Sequence, residues 1–74
     1  MDKKTLLKQF GKNVKIERIK QNLTQEGLAE KMDVYQNYVA GIECGRANMS
    51  LEKILELSKF LNVDINILLD FTEK

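Results

Sequence analysis

Seventy-four residues carry twelve Lys and Arg against eleven Asp and Glu, with no Pro, no His and one Cys, and this length sustains one small domain near the lower limit for a single apolar core. Without His, with a lone thiol and without a Gly-rich phosphate loop, no Cys–His or Ser–His–Asp nucleophile and no internal disulfide can be assembled; a metal cluster is disfavoured, and no enzyme activity, cofactor or small-molecule ligand is expected. No apolar run reaches the ~20 residues that span a bilayer, and the Met-Asp-Lys-Lys start lacks the apolar stretch and cleavage site of a secretion signal, so a cytoplasmic protein with no membrane partner is expected.

Regular apolar spacing without Pro predicts helices. The first covers residues 5 to about 21, where Leu7, Phe10 and Val14 recur every three or four residues and Lys3, Lys4, Lys8, Lys12 and Lys15 fall outside the stripe. Ile16 and Ile19 lie off that stripe and either widen the apolar face or stand exposed. Beyond it, a five-residue offset recurs in Leu23/Leu28, Val34/Val39, Met49/Ile54 and Val63/Leu68. That is the spacing of an apolar residue before an N-cap that packs on another one turn inside the helix. The implied caps are Thr24, Tyr35, Ser50 and Asp64. All but Tyr35 have short side chains that can accept a backbone N–H bond. Asn22, Asp33, Gly45 and Asn62 stand just before these starts and are residue types that enter the left-handed conformation closing a helix.

Starts and stops together predict helix 2 over residues 25–32, helix 3 over 36–44, helix 4 over 51–61 and helix 5 from 65 to about 70. The fold class is all-α, a compact five-helix domain. In helix 4, Leu51, Ile54, Leu57, Ser58 and Leu61 form the inward face. Gly27, inside helix 2, costs ~1 kcal/mol against Ala and is read as a tolerated weak residue ahead of a close backbone approach. Cys44, at a helix end, is read as half-buried and inert rather than redox-active.

Two short helices hinged at Asp33, within Thr24 to Gly45, have the layout of a helix-turn-helix, whose second helix enters the DNA major groove. The charge distribution agrees: residues 1–46 hold nine basic against six acidic side chains, and residues 47–74 hold three against five. The basic half therefore contains the motif, as an electrostatic footprint on DNA requires. At the start of helix 3, Gln36 and Asn37 are amides of the kind that pair bidentately with adenine N6 and N7. Leu28, Ala29, Val34, Val39, Ile42 and the Glu43/Gly45 ending resemble the lambda-repressor/Cro-like (XRE-type) helix-turn-helix family, over about residues 10–69. The run from Tyr38 to Glu43, with Gly45, Asn48 and Ser50-Leu51, is also similar to controller proteins of restriction–modification systems, in which Gly at the Gly41 position is usual.

The resemblance implies a sequence-specific transcriptional regulator that binds double-stranded DNA at a palindromic operator as a homodimer, a restriction–modification controller or a phage-type repressor. It assigns base contacts to Gln36, Asn37 and Gly41. Backbone contacts fall to Gln25, Tyr35, Arg46 and Asn48, with Thr24 there chiefly as a cap and Tyr38 divided between DNA contact and shielding of the core. Arg18 and Glu43 match a structural ion pair. Ile65, Ile67, Leu69 and Phe71, in the segment 63–74, are more apolar residues than one short helix needs, and they form either a dimer interface or a cover for the core. Ala40, Gly41 and Cys44 stand where many relatives carry polar or basic groups. The alternative function is therefore a protein-interaction module on the same fold, such as an antitoxin or antirepressor.

Overall fold

The computed structural model describes residues 1–72 as five helices: α1 (Lys3–Lys20), α2 (Gln25–Met32), α3 (Gln36–Glu43), α4 (Leu51–Phe60) and α5 (Ile65–Leu68). Asp2, Thr24 and Ser50 cap α1, α2 and α4, accepting the N–H groups of Thr5, Gly27 and Lys53 at 2.8, 2.9 and 3.2 Å. The Asp2 cap starts α1 two residues before the predicted position. The backbone N–H of Thr5, and after it the Thr5 hydroxyl, hold the Asp2 carboxyl below the ordinary carboxylate range. The cap's contribution is thus complete above that range and is lost as pH falls through the lowered value. In an NMR titration the Thr5 amide resonance should move with Asp2 protonation, at lower pH than an unperturbed aspartate would require; a Thr5 amide that ignores acid would contradict the cap.

Tyr35 caps α3 through its backbone alone. Asp64 corrects an expectation: its side chain makes no cap bond. The Ile67 N–H that such a bond would use is already held by the Asp64 carbonyl at 3.0 Å, in a helix of a single turn. The four helix ends follow one pattern. Asn22, Asp33, Gly45 and Asn62 have φ of 59°, 57°, 84° and 56°. In each, the left-handed residue's N–H reaches back three residues and the following N–H reaches back five, as in Leu23 to the Arg18 carbonyl and Arg46 to the Gly41 carbonyl.

Helix α1 packs across α3 and α5, α2 packs against α3 and α4, and α4 packs against α5. The core unites Phe10 and Val14, Leu28 and Ala29, Val39 and Ile42, Ile54, Leu57 and Leu61, and Leu68. Leu23, Val34, Met49 and Val63, the outer members of the five-residue pairs, are half-buried against it. Ile16 and Ile19 are exposed. Leu51, expected inside, is 72% exposed: a helical side chain leans over the turn before it, and the first residue of α4 has no such turn to cover. Buried Ser58 donates its hydroxyl to the Leu55 carbonyl at 2.6 Å.

Helices α1 and α3 cross at Gly11, a residue with no visible role in the sequence pattern. A Cβ there would lie 2.3 Å from the Ile42 carbonyl oxygen. At the other end of the chain, Asn13 Nδ2 donates to the carbonyls of Leu68 and Asp70 at 3.0 and 2.9 Å, holding the C-terminal segment on α1. The Gln21 amide donates to the Leu61 carbonyl. Among the described residues no helix is long and apolar enough to cross a membrane.

Candidate nucleic-acid interface

Burial of Val39 and Ile42 orients α3. With 100° per residue, Gln36, Asn37 and Cys44 then face away from the core, whereas Ala40 is half-buried and Gly41, expected at a base contact, is buried by its surroundings in α3. Gln36 and Asn37 are exposed at the helix start, where an amide can offer one donor and one acceptor to a base edge. Cys44 is exposed rather than half-buried, because it lies on the side of α3 opposite the core; its Sγ donates to the Gly41 carbonyl at 3.6 Å.

Behind this face a chain of polar contacts runs inward. Gln36 Nε2 lies 3.5 Å from Gln25 Oε1, and Gln25 Nε2 donates to Glu43 Oε1 at 3.1 Å. Glu43 in turn accepts Arg18 Nε at 2.6 Å and Arg18 Nη2 at 3.0 Å, a bidentate ion pair. Arg18 Nη1 donates to the Leu23 carbonyl at 2.7 Å. The two charged side chains are 10% and 4% exposed, so the pair is buried, and among the described residues no buried side-chain nitrogen or oxygen is left without a partner. Gln25 thus joins α2, the ion pair and the exposed start of α3. Sequence spacing could not reveal this second role, since Gln25 and Glu43 are distant in the chain.

The other assigned residues are distributed around this face. Thr24 caps α2 and is exposed. Gly27 lies close to that cap, a Cβ there standing 3.2 Å from Thr24 Oγ1, and it approaches no other helix. Tyr35 is 86% exposed. It lines an open cleft with Asp33, Val34, Tyr38 and Lys53. Tyr38 is half-buried and packs on the core while lining this cleft. Lys53, unassigned from sequence, brings a cation to the cleft wall. Arg46 and Asn48 are exposed on the segment between α3 and α4. Gly45 ends α3 against α1, where a Cβ would come within 2.8 Å of Lys8 Cγ.

At the opposite end, Ile67 is 43% exposed, whereas Ile65, Leu69 and Phe71 are half-buried against the core. Leu55 of α4 is also exposed. The last two positions of the segment 63–74 lie outside the described residues.

Known proteins share this arrangement. Residues 14–68 match the helix-turn-helix family. The chain is 44% identical over 64 residues to control protein C.BamHI of Bacillus amyloliquefaciens, an alignment that covers 85% of this chain and 79% of that protein. The restriction–modification controller protein C.AhdI from Aeromonas hydrophila superimposes with a TM-score of 0.77 at 35% identity, over 84% of this chain and 94% of that one. The DNA-binding domain of BldD superimposes with a TM-score of 0.85 at 26% identity, over 95% and 100% of the two chains.

Proposed function

The chain belongs to the helix-turn-helix family and is a DNA-binding regulator, and from this premise we propose that it is a controller-type regulator reading a palindromic operator as a cytoplasmic homodimer. The observation that carries the reading is the pair of exposed amides, Gln36 and Asn37, at the start of a helix whose inner side is anchored to the core. Gln36 is tethered through Gln25 to the buried Arg18–Glu43 pair, which limits the freedom it would lose on meeting a base. Gly41, one turn beyond Asn37, is buried and offers a base no side chain. Gln25, Thr24, Tyr35, Tyr38, Arg46 and Asn48 surround the amides as contacts to sugar and phosphate, which set register without reading sequence.

A single copy of so small a domain offers few contacts, and specific sites are commonly read by dimers on half-sites one turn apart. Exposed Ile67 is the centre of the self-complementary patch, with Ile65, Leu69 and Phe71 at its margin.

The test is selection from a random duplex-DNA pool, followed by binding of the enriched site at two salt concentrations. A palindromic consensus with half-sites ~34 Å apart, bound much less tightly at the higher salt, is the expected result. Folded, dimeric protein that enriches no site would overturn the reading and favour a protein partner. On the enriched site, Gln36→Ala and Asn37→Ala should each relax base choice, by about 1–3 kcal/mol for each bidentate amide–base pairing removed. Arg46→Ala should weaken specific and random DNA alike and lower the salt slope by about 1. Equal weakening on both DNAs in all three variants would contradict these assignments.

A further inference from the structure

Helix α1 sorts its charges. Lys4, Lys8, Lys12 and Lys15 follow one another at three- or four-residue spacing, and at 100° per residue they fall within an arc of ~80° along ~16 Å of helix. All four are exposed. Glu17, the acid of α1, lies on the opposite side from Lys8 and holds Lys20 at 3.3 Å. Among the described residues the ion pairs are Arg18–Glu43, Lys20–Glu17 and Lys53–Glu56, so no lysine of the stripe is neutralised by one. Two acids stand at its margins: Asp2 is close enough to feel the Lys8 charge while its carboxylate caps α1, and Asp70 lines a cleft with Lys12. Like charges four residues apart weaken a helix, and Lys4 adds a cation to the first turn, the positive end of the helix dipole. Local helix chemistry thus disfavours the stripe.

The stripe adjoins the interface described above. Lys8 lies against Gly45, where a Cβ would come 2.8 Å from Lys8 Cγ and 3.0 Å from the Lys8 backbone nitrogen, and Arg46 and Asn48 follow on the exposed segment beyond it. The net charge of the whole chain is only +1, so these cations are a local concentration and not a general excess. We infer that the lysine stripe of α1 is a second DNA-backbone surface, continuous with Arg46, that lies along the phosphates of one strand beside the groove entered by α3. Flexible ammonium groups one helical turn apart suit a row of phosphates, which lysine meets as a point charge without reading a base. The inference rests on the reading of α3 as the base-reading helix.

Lys8→Gln with Lys12→Gln tests it against Lys20→Gln with Lys59→Gln, which removes equal charge from a cleft away from the stripe. Both variants are measured for thermal unfolding and for the fall of DNA affinity with salt, on the site that the wild type selects and on random duplex. Each phosphate contact contributes about 0.9 to the slope of log affinity against log salt, so the stripe variant should lose about 2 from that slope on both DNAs. It should unfold at the wild-type temperature or above it and keep the wild-type base preference. The control variant should keep the wild-type slope. Ethylated phosphates that hinder the wild type on the selected site should include some that no longer hinder the stripe variant, and these locate the strand. Equal slopes in the two variants would overturn the inference while leaving the regulator reading intact. A stripe variant that keeps the wild-type slope but loses binding to polyglutamate would also overturn it, in favour of an acidic protein partner. Wild-type protein that selects no site would overturn the regulator reading itself, and the slopes on random duplex would still decide the stripe.

Discussion

Gly11→Ala should destabilise this protein by ~3 kcal/mol or more, the upper end of the usual cost of overpacking. The added carbon would stand 2.3 Å from the Ile42 carbonyl oxygen, 2.5 Å from that of Glu43 and 2.7 Å from the Glu43 carbonyl carbon. A flexible side chain would rotate out of such a contact. These atoms are backbone of α3, and relief requires the two helices to separate. Separation would draw Phe10 and Val14 away from the core they share with Val39 and Ile42, and would pull on the Arg18–Glu43 bonds. The ~1 kcal/mol that alanine contributes to helix propensity offsets only part of this. Urea unfolding provides the measurement: a lower midpoint with an unchanged slope is expected. A midpoint at or above that of the wild type would refute the close crossing. Gly41→Ala supplies the internal control, because the same methyl group there enters open space.

These two glycines mark what the linear sequence discloses and what it withholds. Helix boundaries are legible because their chemistry is local: cap, five-residue apolar pair and left-handed stop all lie within a few neighbours of one another. That is why Thr24, Tyr35 and Ser50 stand where their spacing places them. Leu51 escapes the same reasoning, since periodicity counts it as inward while its place at the very start of α4 leaves it exposed. Gly11 has no local signature at all. Its requirement appears only when α3 lies across α1. Arg18 and Glu43, 25 residues apart, come together for the same reason, and family resemblance was the only means of pairing them in advance. The outward face of α3 follows from Val39 and Ile42, but its coupling to the interior through Gln25 requires three separate elements to meet.

That coupling makes Glu43→Ala the second large expectation: a loss of about 3–5 kcal/mol in stability, the range for breaking a buried ion pair from one side. The Arg18 guanidinium cannot shed its charge. It would lose both bonds to the carboxylate and keep only the Leu23 carbonyl. Gln25 would lose its acceptor at the same time, and with it the fixed support for Gln36. Stability and recognition should therefore fall together, and a double substitution separates them. Replacing the pair by apolar residues of similar size, Arg18→Met with Glu43→Leu, removes the stranded charge and should recover much of the lost stability, as buried pairs exchanged for apolar contacts often do. It cannot give Gln25 an acceptor. Urea midpoints should thus rank wild type and the double variant well above Glu43→Ala. Affinity for the selected DNA site should remain depressed in both variants when measured at temperatures where each is folded. Full recovery of affinity in the double variant would show that Gln36 needs no tether. A Glu43→Ala protein as stable as wild type would show that the pair contributes little to the fold.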